Sequence, residues 1–150
     1  MNKQQKIENF DPSQPGLADA TIFGLPFTAE ESEIIIIPVP WEVTVSYGAG
    51  ASEGPAAIFD ASFQVDLLHQ DFPELWKLGI YMDEAPEQWA KNSEKYKNIA
   101  QPIIEALENG EDVETFPALM EDLHKINTAC RTLHTEVKEK VLFWQNKGKK

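Results

Sequence analysis

Residues 33–58 read EIIIIPVPWEVTVSYGAGASEGPAAI, and this stretch decides the predicted fold. It begins with a predicted β-strand over Glu33–Val39. Four successive isoleucines are β-branched, and a continuous apolar run is typical of a strand buried on both faces of a parallel sheet. Pro38 and Pro40 end the strand, because proline has no N–H to donate to a neighbouring strand. The stretch therefore predicts an α/β protein with a parallel sheet.

A long loop follows this strand, from Trp41 to Ser52, and its glycines permit sharp changes of direction. Gly54-Pro55 then opens a predicted helix, since proline is harmless at the first helical position. The free N–H groups and the positive dipole end of that helix would face the loop. Ligands of open α/β sheets bind at the carboxyl ends of the strands. The loop is therefore the candidate functional segment.

The remainder of the chain divides into a polar arm over residues 1–32 and an α/β portion over residues 33–150. The arm is broken by proline and glycine, and its predicted anchors are the apolar side chains of Phe10, Ile22, Phe23 and Phe27. Further strands are predicted over Phe63–Leu68 and Trp76–Met82. Long helices are predicted from Pro86 to an Asn109-Gly110 cap and over Phe116–Trp144, from their apolar periodicity. In a doubly wound sheet, each such helix crosses to another parallel strand.

The net charge, the cysteine content and the lengths of the apolar runs argue against several classes of function. The formal net charge is -12, which disfavours binding to nucleic acid and to anionic membrane surfaces. The single cysteine, Cys130, excludes an internal disulfide and is typical of a reducing compartment. No apolar run is long enough to span a bilayer, and the polar start lacks the features of a secretory signal. These features predict a soluble cytoplasmic protein.

The loop and the segments around it resemble those of one enzyme family. A proline-ended strand is followed by Thr–x–Ser–Tyr and then by Gly–Ala–x–x–Gly–Pro–x–Ala–Ile. This order resembles the first strand and loop of the ureohydrolases, the family of arginases, agmatinases and guanidinases. Gly48, Ala49 and Ser52 stand where many agmatinases have Arg, Pro and Arg. The Pro40-Trp41-Glu42 start and the later Ser62–Asp66 segment resemble the guanidinase-like branch more closely.

The resemblance implies a partial three-layer arginase-like fold, truncated before the metal-binding strands. It also implies hydrolysis of a guanidino compound, such as agmatine or guanidine, to urea. The complete family enzyme uses a binuclear manganese or nickel centre and is usually a homo-oligomer. Its Gly-Gly-Asp-His-Ser, Asp-Ala-His-x-Asp and Ser-x-Asp-x-Asp motifs are absent from these residues, so this chain is expected to bind no metal and to be inactive alone. The alternative is a freestanding, non-catalytic α/β module that docks on a full-length homologue.

The candidate substrate residues all lie in the loop. An aromatic ring can stack on a planar cation, a hydroxyl can hydrogen-bond a guanidinium, and a carboxylate can offset its charge. The residues with these capabilities are Trp41, Glu42, Thr44, Ser46 and Tyr47. Pro40, Gly50, Gly54 and Pro55 are predicted to shape the loop and the helix start. For each substrate candidate alone, a structural role (packing, capping or solvation) is the competing interpretation.

Three further patterns are weighed against ordinary structural roles. Glu121-x-x-His124 has the spacing of one half of a helical di-iron motif, which raises the possibility of a helical metal carboxylate protein. A second copy of the motif is missing, so a solvated helix face is the preferred interpretation. His69, between Asp66 and Asp71, is interpreted as part of a loop edge. Cys130 lies on an apolar stripe and is interpreted as a small core residue.

Overall fold

The computed structural model describes residues 1–14, 16, 20–45 and 47–150. Its regular elements are α1 (Lys3–Asn9), β1 (Ile34–Ile36), α2 (Gly54–Ser62), β2 (Ile80–Met82), α3 (Glu87–Glu108) and α4 (Pro117–Asn146), with short 3-10 turns between them. β1 and β2 pair in parallel, with Ile34 opposite Ile80 and Ile36 opposite Met82. The chain is therefore an α/β protein with a small parallel sheet and predominantly helical content. This confirms the predicted fold class at that level.

Two compact units divide the chain, and they are described separately. We call the first the sheet unit; it comprises Met1–Pro38, Pro55–Glu84 and Lys140–Lys150. The second, the helical unit, comprises Val39–Gly54 and Ala85–Glu139. The predicted boundary between an arm over residues 1–32 and an α/β portion over 33–150 stays a prediction.

β1 is shorter and more exposed than predicted. It covers Ile34–Ile36 rather than Glu33–Val39, and the four isoleucines of the run are only partly buried. Pro38 and Pro40 explain the early end, since they offer no donors beyond Ile37. Burial on both faces requires neighbouring elements above and below the strand as well as beside it. The prediction of a strand buried on both faces is therefore wrong for this structure.

The strand predicted over Phe63–Leu68 is also wrong. Helix α2 continues to Ser62, and the chain then turns, with the Val65 N–H donating to the Ser62 carbonyl at 3.2 Å. The Ser62 hydroxyl secures this helix end by accepting from the Phe23 N–H at 2.8 Å. Val65 and Leu68 are about half exposed, and only Leu67 packs against the core of the sheet unit, which is not the burial of alternate residues expected of a strand. Of the predicted strand Trp76–Met82, only Ile80–Met82 is extended, because Leu75–Leu78 forms a 3-10 turn.

The sheet unit is built around a small aromatic core. Leu25 and Phe27 are fully buried and pack with Trp76, whose ring lies 6.2 Å from that of Phe27. Phe10 also packs on Trp76, with ring centroids 5.1 Å apart. The predicted anchors of the N-terminal residues do find partners: Ile22 is fully buried, and Phe23 packs against the same cluster.

Asp83 joins the end of β2 to the last turns of α4 within the sheet unit. Its Oδ2 accepts hydrogen bonds from Lys140 Nζ at 2.6 Å and from the Trp144 indole N–H at 2.9 Å. Partial burial acts to raise the pKa of this carboxyl, but the hydrogen bonds from Lys140 and Trp144 outweigh it, and the pKa lies below its ordinary value. The ion pair thus orients the C-terminal part of α4.

The helical unit consists of the loop Val39–Gly54 with α3 and most of α4. Pro86 caps the N-terminus of α3, Asn109 caps its C-terminus and Gly110 follows at φ +76°, which confirms the predicted start and end. α4 agrees with the predicted helix to within two residues at its ends. The core of the unit contains Val43, Ala100, Ile103, Ala106, Val113 and Ile126. In the part of the chain described, no helix has the length and apolar character needed to cross a bilayer.

Candidate functional site

The loop of the helical unit is closed by one buried carboxylate. Glu42 is 3% exposed, and its Oε2 accepts the backbone N–H groups of Gly50, at 2.6 Å, and of Ala51. Its Oε1 forms an ion pair with Lys97 of α3. The carboxylate therefore joins the two ends of the segment between residues 42 and 51 and ties both to α3. We call this arrangement the Glu42 clamp.

Ser93 completes the clamp from the backbone side. The Glu42 N–H donates to Ser93 Oγ at 2.7 Å, and the same hydroxyl donates to the Glu42 carbonyl at 3.2 Å. Ser93 is itself buried, one turn before Tyr96 on the inner face of α3. Because both the main chain and the side chain of Glu42 are bound, the start of the loop has a single defined position.

The clamp strongly favours the ionised form of Glu42. The hydrogen bond from Lys97 contributes most and the Gly50 and Ala51 N–H groups add to it, so the pKa of the Glu42 carboxyl falls from 4.5 to about 2 although burial opposes this. The pKa of Lys97 is raised in turn, chiefly by its hydrogen bond to Glu42. The pair is therefore charged at neutral pH.

We expect the stability contribution of the clamp to depend on pH. A folded pKa below the unfolded value favours the folded state above pH 4.5, and this advantage decreases as pH falls from 4.5 to about 2. The variant Glu42→Gln carries no charge, so it should be less stable than the parent at neutral pH, and the difference should shrink as pH falls from 4.5 toward 2. The measurement is the urea midpoint of both proteins across this range, with exchange of the Gly50 and Ala51 amides as a local readout.

The control for the clamp is Glu111→Gln, at an exposed carboxylate of the same unit. The urea midpoint of Glu111→Gln should differ from that of the parent by the same amount at every pH. A difference between Glu42→Gln and the parent that stayed constant down to pH 2 would contradict the assignment, since a pH-independent loss indicates packing rather than ionisation.

The other substrate candidates are spread over different surroundings. Trp41 is partly buried and packs on Tyr96, with ring centroids 6.4 Å apart; it lines a cavity of about 200 Å³ with Trp89 and Glu136. Thr44 lies at the rim of a mainly apolar cavity of about 620 Å³ between α3 and α4. Tyr47 is 95% exposed. Ser46 lies outside the described residues. The structure thus does not gather these side chains into one pocket, and their roles toward substrate stay predictions.

The residues predicted to shape the loop have conformations that suit the assignment. Gly50 has φ +136°, a conformation that L side chains rarely adopt, and its N–H reaches the Glu42 clamp. Gly54 is the first residue of α2, with Pro55 as the second, and Pro40 is partly buried. The positive φ therefore explains why glycine stands at position 50, and no contact with a ligand is needed to explain it.

The remaining candidates have ordinary surroundings. The ring of His69 packs on Phe72, and its Nδ1 accepts the Asp71 N–H at 3.2 Å. Glu121 and His124 are exposed, and Glu121 pairs with Lys125 at 2.9 Å. Cys130 is partly buried and packs against the core of the helical unit. Among residues 1–14, 16, 20–45 and 47–150, no three His, Cys, Asp or Glu side chains are arranged to hold a metal ion.

Sequence reasoning did not find Lys97 and Ser93 as partners of the loop. They lie 55 and 51 residues from Glu42 along the chain, so no local spacing connects them. One signal was available for Ser93: a small polar residue stands on the apolar stripe of α3 between Trp89 and Tyr96. A polar group buried on such a stripe requires a hydrogen-bond partner from another element.

No family model, curated protein or solved structure matches this chain.

Proposed function

We propose that this chain is the N-terminal segment of a metal-dependent ureohydrolase, with the arrangement of a partial three-layer arginase-like fold, whose complete form hydrolyses a small guanidino compound to urea. The observation that carries the proposal is the loop of residues 39–54, which begins three residues after the end of β1 in the sequence and leads into α2. Its sequence resembles the first loop of that family. The Glu42 carboxylate accepts the Gly50 N–H at 2.6 Å, and Tyr47 is exposed.

The chemistry of the loop is compatible with a cationic, planar substrate. Tyr47 offers an exposed aromatic face, and Thr44 offers an exposed hydroxyl. For Glu42, the proposed role differs from the charge-offsetting role predicted from the sequence. Both its carboxylate oxygens are engaged by Lys97, Gly50 and Ala51, so its contribution to function would be to position the loop rather than to bind the substrate charge.

No described residue of this chain is proposed as a ligand of the family's metal centre. The described part of the chain contains no group of three His, Cys, Asp or Glu side chains arranged to hold a metal ion. The binuclear manganese or nickel site belongs to the proposed complete enzyme. The 150-residue chain is accordingly expected to release no urea by itself.

The deciding experiment is to read the coding sequence beyond the codon for Lys150 and to produce the protein of the complete reading frame. We expect aspartate and histidine motifs of the family to follow in frame. The complete protein should release urea from guanidine, agmatine or arginine in the presence of manganese or nickel, and a chelator should abolish the activity. A complete reading frame without such motifs, or a folded complete protein inactive on all three substrates, would refute the proposal.

Tyr47→Ala tests the loop within the complete protein. Removing an exposed ring that stacks on the substrate cation should raise KM up to roughly tenfold with little change in kcat. The ring is 95% exposed, so stability should be unaffected. Phe72→Ala is the matched control, because Phe72 is also exposed but lies outside the loop. Equal KM values for the two variants would remove Tyr47 from the substrate site.

The second candidate function is a non-catalytic module that docks on a full-length homologue. Each of the two units has its own hydrophobic core. A core of its own favours a module that folds without the rest of an enzyme. A complete reading frame that ends without ligand motifs, together with cooperative thermal unfolding of the 150 residues, would favour this function over the enzyme.

A further inference from the structure

The loop of the helical unit and its two helices border a cavity of about 200 Å³ that brings three aromatic side chains and a carboxylate together. Trp41 comes from the loop, Trp89 and Tyr96 come from α3, and Glu136 comes from α4. The ring centroids of Trp41 and Tyr96 are 6.4 Å apart, and the two planes are inclined by 38°. Drug-sized ligands occupy pockets of roughly 300–1,000 Å³, so this cavity suits a smaller molecule or a single head group.

Glu136 carries the single charge among the described residues that line this cavity. Its Oε2 accepts the indole N–H of Trp89 at 2.5 Å. The Trp89 side chain is 2% exposed, so a buried ring holds the carboxylate of an otherwise exposed residue in place. A carboxylate fixed beside aromatic rings attracts a cation through its own charge and through the negative faces of the rings.

Three hydrogen-bond donors of the lining are already engaged. Thr128 Oγ1 donates to the His124 carbonyl at 2.9 Å, and Thr132 Oγ1 donates to the Thr128 carbonyl at 3.1 Å. The third donor is the Trp89 N–H, which is bound to Glu136. A hydroxyl has one hydrogen to donate and an indole has one, so these groups have none left for a ligand. An anion, or another ligand that mainly accepts hydrogen bonds, is therefore disfavoured in this cavity.

The aromatic walls are held in position by the fold of the helical unit. The Trp41 N–H donates to the Val39 carbonyl at 2.9 Å, and the next residue, Glu42, donates its N–H to Ser93 Oγ at 2.7 Å. The main chain of the loop is thus bound to α3 beside Trp41, one turn before Tyr96. Because these side chains are ordered in advance, a ligand loses less binding energy to ordering them.

Tyr96 already has a cation of the chain near its ring. The Lys95 ammonium lies 5.1 Å from the ring centroid, within the distance of about 6 Å at which an aromatic face attracts a cation. Lys95 is exposed and is not one of the described residues that line the cavity. The cavity itself therefore keeps room for a second cation, beside Trp41 and Glu136.

We propose that this cavity binds a small quaternary ammonium group, with its methyl groups against Trp41 and Tyr96 and its charge beside Glu136. Guanidinium is the alternative cation, but it binds a carboxylate best as a fork on both oxygens, and Trp89 already occupies Oε2. A quaternary ammonium has no N–H groups, so it requires only the charge and the ring faces. The inference goes beyond the proposed hydrolase function and does not require it, because every residue involved lies in the helical unit.

The test is an NMR titration of the 150-residue chain with tetramethylammonium, followed through the indole N–H signals of its four tryptophans. We expect the signals of Trp41 and Trp89 to shift in a saturable way, with a dissociation constant in the millimolar range. Trp76 and Trp144 lie in the sheet unit, so their signals should stay unchanged and serve as internal references. tert-Butyl alcohol has a similar shape without the charge and should cause no saturable shift over the same concentrations. Absence of saturable shifts at Trp41 and Trp89, equal binding of the alcohol, or tighter binding of guanidinium would overturn the proposal.

Two pairs of variants assign the binding to the cavity, with the Trp89 signal as the readout. Glu136→Gln should weaken the binding of tetramethylammonium at least roughly fivefold. Glu111→Gln removes the same charge from an exposed position outside the cavity and should leave the dissociation constant unchanged. Trp41→Leu should also weaken binding, whereas Trp41→Phe keeps an aromatic face and should retain most of the affinity.

The Glu136→Gln result decides the proposal even if Trp41→Leu does not fold, because the side chain of Glu136 is exposed. Equal affinities of Glu136→Gln and Glu111→Gln would refute the proposal, since they would attribute the binding to the net charge of the chain. None of these outcomes depends on urea release, so failure here leaves the proposed hydrolase function to its own test.

Discussion

Replacing Phe27 with alanine is expected to lower the free energy of unfolding by about 3–5 kcal/mol. Phe27 is fully buried, and its ring packs against Trp76 and Leu25 at the centre of the sheet unit. The loss combines the transfer energy of the ring with the cavity it leaves, because rigid neighbours relax only in part. Urea denaturation followed by circular dichroism measures it. This is a large share of the stability of an ordinary domain.

Two further variants make the result interpretable. Phe72→Ala removes the same ring from a position that is 63% exposed, so the change should stay within about 0.5 kcal/mol. Phe27→Leu keeps most of the apolar volume and should cost about 1.5 kcal/mol or less, which secures a measurement if the alanine variant does not fold. Similar small losses at positions 27 and 72 would show that the aromatic core of the sheet unit is assigned incorrectly.

Gly79→Ala is the second change with a large expected effect. Gly79 has φ +75° and ψ 129°, where a non-glycine residue costs about 1–3 kcal/mol. A Cβ there would also lie 2.9 Å from the Ser32 Cα, a backbone atom that cannot yield without moving the segment before β1. Displacement of packed atoms adds about 1–3 kcal/mol. We expect the two costs together to weaken the pairing of β1 with β2.

Gly110→Ala is the matched control for this effect. Gly110 has nearly the same φ, +76°, but a Cβ at this position meets no atom within 4 Å. Only the conformational cost of about 1–2 kcal/mol then applies. Exchange of the Glu33 and Ile34 amides, which donate to the Gly79 carbonyl, should accelerate in Gly79→Ala and stay unchanged in Gly110→Ala. Equal losses in both variants would mean that close contact with Ser32 is absent.

The parts of the fold that sequence reasoning predicted well are the long helices. α3 and α4 have apolar side chains that recur with a helical period over many turns, and Pro86, Asn109 and Gly110 mark ends that act locally. The strands were predicted less well. A short apolar run such as Phe63–Leu68 has no neighbour that determines whether it pairs, and its residues found their hydrogen bonds in the turn after α2.

The candidate site likewise combines features that were predicted from the sequence with features that depend on tertiary contacts. The sequence alone predicted a loop over Trp41–Ser52 and a helix start at Gly54-Pro55, because proline restricts the backbone and glycine permits conformations that other residues rarely adopt. Its resemblance to a ureohydrolase loop is likewise a property of the sequence. Neither the α/β class nor the helix ends required knowledge of distant contacts.

Only the tertiary structure decided what Glu42 does and which backbone groups beside β1 bond to Lys150. A buried carboxylate must be paired, but its partner, Lys97, is 55 residues away, and no periodicity connects positions so far apart. The pairing of Lys150 with Glu33 and Ile35 likewise depends on a turn at Gly148 and on contacts of Lys149 with the sheet unit. Local conformation follows from neighbouring residues, whereas hydrogen-bond partners of buried and edge groups are selected by packing over the whole chain.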